Sequence, residues 1–173
     1  YGKVIVRNPT NLSNRLVENQ LEGINSGDAI TSVPLEHRLL LLSDIAGVKI
    51  NSTLAPGATV GTSDLIVDVA PAARVNGSID ADNAGNRYTG ENRLGATINV
   101  NNLAGQGDVA SLRLLTSAEG LNYARAAYQL QVDKATVGAA YSWLEYELGE
   151  EFTSLDASGD GKIASVYGRY PLM

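Results

Sequence analysis

Residues 121–132 read Leu121-Asn-Tyr-Ala-Arg-Ala-Ala-Tyr-Gln-Leu-Gln-Val132. Ala124, Ala126, Tyr128 and Leu130 fall at every second position, and Arg125 lies between them. A period of two is that of a β-strand with one apolar and one polar face. Five further runs share the pattern: Arg74–Asp82, Glu91–Asn101, Val109–Thr116, Thr136–Leu148 and Lys162–Tyr170. Between them stand Asn83–Tyr88, Leu103–Gly107, Ser117–Gly120, Asp133–Lys134 and Gly149–Gly161, rich in Gly, Asn and Asp. Ala72 onward is therefore expected to form an antiparallel meander of about six strands.

The charges test which face meets what. An Arg turned toward lipid at mid-bilayer costs roughly 2–4 kcal/mol, whereas one turned toward an aqueous lumen is tolerated. Val75, Gly77, Ile79 and Ala81 oppose Arg74 and Asp80; Leu94, Ala96, Ile98 and Val100 oppose Glu91 and Arg93. Ala110, Leu112 and Leu114 oppose Arg113, while Ala164, Val166, Gly168 and Tyr170 oppose Arg169. In the fifth run Val137, Ala139, Tyr141 and Trp143 share their parity with Glu145 and Glu147. If charge decides, Gly138, Ala140, Ser142, Leu144, Tyr146 and Leu148 face lipid, and Tyr141 and Trp143 the lumen. A soluble sheet with its charged face in water meets the same test. Strand lengths near the 9–11 residues that cross a bilayer, and short connections alternating with longer ones, favour the barrel.

The first seventy residues have another rhythm. Val4, Ile5 and Val6 form a short strand, and Asn8-Pro9-Thr10-Asn11 is turn and cap chemistry. Leu12, Leu16, Val17, Leu21 and Ile24 recur at helical steps and end at Gly23 and Ser26-Gly27-Asp28. Pro34 opens a second helix through Leu35, Leu39, Leu42 and Ile45, with Ser32 or Val33 as cap and Gly47 beyond its end. Val48–Leu54 and Asp64–Val69 then make two strands about Ala55-Pro56-Gly57. The order is β-α-α-β-β, two helices on one face of a three-stranded sheet.

The chain has 173 residues, 13 basic and 19 acidic, for a net charge of −6. That sign repels phosphate backbones, so nucleic acid is not an expected partner. Without Cys and with a single His there is no disulfide, thiolate site or imidazole cage; no metal, cofactor or catalytic residue is expected. Cysteine avoidance fits any compartment, the periplasm included. No apolar run of about 18 residues is present for a membrane helix. Tyr1 opens without a signal peptide, as an interior cut would.

Several spaced blocks resemble a known family. Leu39-Leu-Leu-Leu-Ser-Asp-Ile-Ala-Gly47, Leu54-Ala-Pro-Gly57 and Val60-Gly-Thr-Ser-Asp-Leu65 are similar to the last POTRA domain of two-partner secretion transporters, the haemolysin-activator and filamentous-haemagglutinin transporter family. Asp82-Asn-Ala-Gly-Asn-Arg-Tyr-Thr-Gly90, Arg93, Asn102-Leu-Ala-Gly-Gln-Gly-Asp108, Gly120-Leu-Asn-Tyr123 and Tyr170-Pro-Leu172 resemble the opening strands of its barrel. The resemblance implies a POTRA domain at 1–71 and, at 72–173, about the first six strands of a sixteen-stranded outer-membrane β-barrel. The first POTRA domain, the plug helix and the later strands would belong to a longer parent. It also implies a bacterial outer-membrane location with POTRA in the periplasm. The expected partners are outer-membrane lipid and a secreted exoprotein recognised through its N-terminal secretion domain, without nucleotide hydrolysis.

Within that frame an extended client adds a strand to the edge formed by Val48, Lys49, Ile50, Asn51, Ser52 and Thr53, with Leu12, Leu16 and Asn19 lining a groove. Asp80, Arg93, Arg113, Arg125, Glu145 and Arg169 are the expected lumen residues. Plainer readings hold elsewhere. His37 reads as solvated, Asp80 with Asp82 as lumen lining rather than a glycosidase pair, and Gly105-Gln-Gly107-Asp108 as a hairpin turn. Asp156-Ala-Ser-Gly-Asp-Gly161 imitates a calcium loop, but Tyr167 stands at position twelve, so a flexible surface loop is expected. Two alternatives remain: an outer-membrane assembly factor of the same superfamily, and a soluble β-rich binding module.

Overall fold

Leu65, Val67 and Val69 are buried and alternate with half-buried Ile66 and Asp68, so the period of two decides which face of the third strand meets the core. This is a computed structural model, and it describes residues 1–171; Leu172, the last residue of the Tyr170-Pro-Leu172 block, lies outside them. The elements run β1 (Val4–Arg7), α1 (Asn14–Gln20), α2 (Ser32–Ser43), β2 (Val48–Pro56) and β3 (Ser63–Pro71). There follow β4 (Val75–Asp82), β5 (Arg93–Asn101), β6 (Val109–Thr116), β7 (Leu121–Val132), β8 (Ala135–Glu147) and β9 (Ser158–Arg169).

The first sheet has the order β1-β3-β2, with β1 parallel and β2 antiparallel to β3. Leu12, Leu16, Val17 and Leu21 from the α1 region, with Leu42 and Ile45 from the end of α2, close over Val48 and the inner face of β3. Helix α1 is shorter than its periodicity predicts. Asn8 accepts from the Thr10 hydroxyl (2.6 Å) and donates to the Leu12 carbonyl (2.7 Å), holding residues 8–12 in a turn and delaying the start to Ser13. At the other end the Leu21 N–H is shared between the Val17 and Glu18 carbonyls, and Gly23 takes φ +91°. Leu21 and Ile24 still reach the core from outside the helix. The cap of α2 is Thr31 rather than Ser32 or Val33, and His37 is half-buried rather than fully solvated.

The second sheet is a meander, β4-β5-β6-β7-β8-β9, every neighbour antiparallel. The expected runs match these strands to within a few residues, except that β9 begins at Ser158 and takes in Gly159 and Gly161. Four residues of the calcium-loop imitator, Ser158 to Gly161, thus belong to a strand, paired with Glu147 to Leu144, not to a flexible loop. One face carries Val75, Ile79, Leu94, Ile98, Leu112, Leu114 and Val166, all exposed. Among the described residues no second sheet covers that face.

Candidate functional site

The polar face of the six-stranded sheet is built by cross-strand pairing. Ser78, Thr97, Arg113, Arg125 and Ser142 form one transverse row, because directly paired residues in antiparallel strands present their side chains to the same side. Arg113 and Arg125 are thus direct cross-strand neighbours of like charge. Asp80 compensates Arg113 through two bonds, Nη1 to Oδ1 at 3.3 Å and Nη2 to Oδ2 at 3.0 Å, and the Thr97 hydroxyl accepts a third at 3.0 Å. Gly95 makes this reach possible, since a methyl group there would stand 2.5 Å from Asp80 Oδ2. At one end Arg93 Nε donates to Asp82 Oδ1 at 2.8 Å. At the other, Ser111 donates to Asn99, which donates to Asn76. Arg169 faces the same side, opposite Thr136. Among the described residues Arg125 makes no ion pair.

Glu145 does not join this row. The register puts it with Asn122 and Asp160, on the face of Ala124, Tyr141 and Trp143, so Tyr141 and Trp143 lie on the apolar side and Gly138, Ala140 and Ser142 on the polar one. The charge test failed there for a physical reason. Strand β8 has 13 residues, longer than the 9–11 that cross the hydrocarbon. Glu145–Glu147 is the last stretch of that strand, and the cost of a charge on an outer face falls toward zero near the end of a span.

The edge strand β2 pairs only with β3, leaving its other side without a ladder partner among the described residues. Lys49, Asn51, Ser52 and Thr53 are exposed, Ile50 packs partly against the core and Val48 is buried. The helix packed on β2 is α2, not α1. Leu12 and Leu16 are core residues, only 3% and 4% exposed, and Asn19 donates to Asp133 Oδ1 at 2.6 Å in the β7–β8 turn. These three residues therefore line no groove beside β2.

Two clusters went unforeseen. Asp108, fully buried, gathers the turn between β5 and β6: it accepts from the N–H groups of Leu103, Ala104 and Gln106 and from the Tyr128 hydroxyl (3.0 Å). Burial alone would raise its pKa, but the amides of Ala104 and Gln106 and the Tyr128 hydroxyl outweigh it and hold the carboxyl below the usual range. The density of Asn, Gly and Asp over 101–108 was the available signal. At the opposite end of the sheet Glu151 accepts from Arg87 and from the Tyr88 hydroxyl, both at 3.1 Å, while Arg87 lies 4.6 Å above the Tyr88 ring. Tyr88 also meets Phe152 edge-on and takes the Gly149 N–H on its carbonyl, so the loops after β4 and β8 form one body. Among the described residues no cluster of metal-ligating side chains occurs.

Comparison with known proteins agrees with this geometry. The family model described as haemolysin secretion/activation protein ShlB/FhaC/HecB matches residues 61–166. The heme/hemopexin transporter protein HuxB of Haemophilus influenzae strain 86-028NP is 33% identical across 98% of this chain, and that of strain ATCC 51907 / DSM 11121 / KW20 / Rd is 32% identical. The chain spans 31% of the length of these relatives. In fold it is similar to CdiB from Acinetobacter baumannii (TM-score 0.63, 22% identity, 96% of this chain and 33% of that one). CdiB from Escherichia coli gives TM-score 0.64 at 20% identity, over 85% of this chain and 28% of that one. BamA from Haemophilus ducreyi lacking POTRA domains 1–3 gives 0.65 at 11% identity, over 95% and 31%. Members of this group are outer-membrane β-barrel proteins with periplasmic POTRA domains. The chain belongs to the haemolysin secretion/activation family, the outer-membrane transporters of two-partner secretion.

Proposed function

We propose that residues 1–71 are a POTRA domain that captures an extended segment of a secreted exoprotein, and that residues 72–173 are the first six strands of a sixteen-stranded barrel through which it leaves. The observation that carries this is β2, whose outer N–H and C=O groups have no ladder partner among the described residues and which lies at the edge of a sheet continuous in sequence with the strand wall. An open edge accepts a strand by main-chain bonds, and side chains at alternate positions supply selectivity. Val48–Thr53, with the adjoining surface of α2, is the recognition element. Asp80, Arg93, Arg113, Arg125 and Arg169 then line an aqueous passage, while Leu112, Leu114 and their neighbours meet lipid. The client's own folding outside the cell draws it through, so no nucleotide is hydrolysed and no cofactor is needed.

The test is capture of the N-terminal secretion domain of the cognate exoprotein by the full-length transporter. Proline is placed along Val48–Thr53 at the alternate positions whose N–H points away from β3, which spares the internal ladder. Capture should fall at least roughly tenfold, the factor corresponding to loss of about one or two main-chain bonds. Undiminished capture would remove β2 as the recognition edge. The assembly-factor alternative has only a fold-level likeness at 11% identity behind it.

A further inference from the structure

Among the described residues the N-terminal unit is hydrogen-bonded to the strand wall at two places reached from α1, both at the end where β4 begins, and Gly47 packs on Asn101 and Asn102 beside the first. At its start the Ser13 N–H donates to the Gly105 carbonyl (2.9 Å), and Asn11 and Asn102 exchange bonds of 3.2 and 2.9 Å. At its end Asn19 donates to Asp133 Oδ1 and the buried Gln20 to the Asp133 carbonyl, both at 2.6 Å. Lys134 reaches back to Glu22 at 3.2 Å. The packing between these points is close, because a methyl group on Gly107 would stand 2.8 Å from Ile45 Cγ2 and 3.6 Å from Leu16 Cδ2.

We infer that α1 is the coupling that fixes where the recognition edge stands relative to the pore, with Asn19 and Asp133 as its positioning residues. The inference rests on the reading of β2 given above. Helix α1 bridges two separate turns of the strand wall, those after β5 and β7, and its other face is built into the core that carries β3 and β2. Two attachment points restrain rotation, which a single chain connection between β3 and β4 would leave free. Asp133 is suited to the task, because it sits at φ +55° in a two-residue turn and presents both its carboxylate and its carbonyl to α1. The chemistry separates two steps: capture needs only the free side of β2, whereas delivery needs that strand held over the mouth of the pore.

The experiment uses the full-length transporter in cells secreting its cognate exoprotein, and reads export and capture of the secretion domain separately. Asn19→Asp sets a carboxylate against Asp133 and should cut export by roughly threefold or more while leaving capture unchanged. Asn19→Asp with Asp133→Asn restores one donor and one acceptor in reversed order and should return export to its starting level. Both positions are solvent-accessible, and outer-membrane levels are measured so that export is expressed per molecule. Export by Asn19→Asp at the original level would overturn the inference, as would equal loss of capture and export, or no recovery in the exchanged pair. Loss of capture on proline substitution in β2 is read independently, so either proposal can fail alone.

Discussion

Tyr167 on β9 covers Gly138 on β8, its direct cross-strand partner: a methyl group on that glycine would stand 2.6 Å from Tyr167 Cζ. The arrangement is reciprocal, since Tyr146 on β8 covers Gly159 on β9, with the corresponding distance 2.7 Å. Both pairs lie on the polar face, one toward each end of the two strands. Each ring fills the space its partner's missing side chain leaves, and together they fix the register of the β8–β9 hairpin. Gly138→Ala should therefore destabilise the full-length barrel by about 1–3 kcal/mol through overpacking. Adding Tyr167→Ala should recover part of that loss. Heat-induced unfolding of the detergent-solubilised transporter measures both.

The β8 register yields a second prediction. Ala126 and Ala127 are adjacent on β7, yet Ala126 pairs with Tyr141 on the apolar face and Ala127 with Ala140 on the polar one. Ala126→Arg should cost roughly 2–4 kcal/mol, the value for an Arg facing lipid near mid-bilayer, whereas Ala127→Arg should cost well under half of that. Urea titration of the barrel refolded in vesicles distinguishes them. Equal effects would mean that the two faces of β7 do not divide lipid from water.

Asp108 ties stability to acidity. Its folded pKa lies below the unfolded one, so the unfolded chain takes up the proton first on acidification. The carboxylate's contribution is complete above the ordinary Asp value of about 3.9 and is lost as pH falls through the lower, folded value. Asp108→Asn cannot accept all four donors and should cost about 1–3 kcal/mol at neutral pH. The variant and the parent should converge in stability as pH drops into that window, a comparison made by denaturant titration at a series of pH values.

Legibility in the sequence followed the range of the interaction. Leu65, Val67 and Val69 announce β3 because burial alternates with sequence position, and the faces of β4 to β7 and β9 are readable because apolar residues keep to one parity. Glu145 misled because one-dimensional parity carries no depth: a charge near the end of a strand counts the same as one at its middle. Leu12, Leu16 and Asn19 misled differently. Helical periodicity marked them as one stripe, but Asn19's partner Asp133 is 114 residues away. Nothing local tells a helix that faces a client from one that faces a turn of the wall. The edge position of β2 was readable, since a β-α-α-β-β order with a β2–β3 hairpin leaves β2 outermost once β1 pairs with β3.

Asp80 offers a test of the lumen itself. Its carboxylate answers Arg113, leaving Arg125 as the neighbouring cation without an ion pair among the described residues. Asp80→Asn would set two adjacent guanidinium groups on the polar face with no carboxylate on either. Both members of the ion pair are 39% exposed, so its direct contribution to stability is small, about 0–1 kcal/mol. The larger effect is on the field in the pore, where low-dielectric walls focus the potential of uncompensated charge. In a planar bilayer under a salt gradient, Asp80→Asn should shift the reversal potential of the full-length transporter toward anion selectivity. Arg125→Gln in the same background should shift it back. A reversal potential indifferent to both substitutions would mean that this face does not line the conducting path.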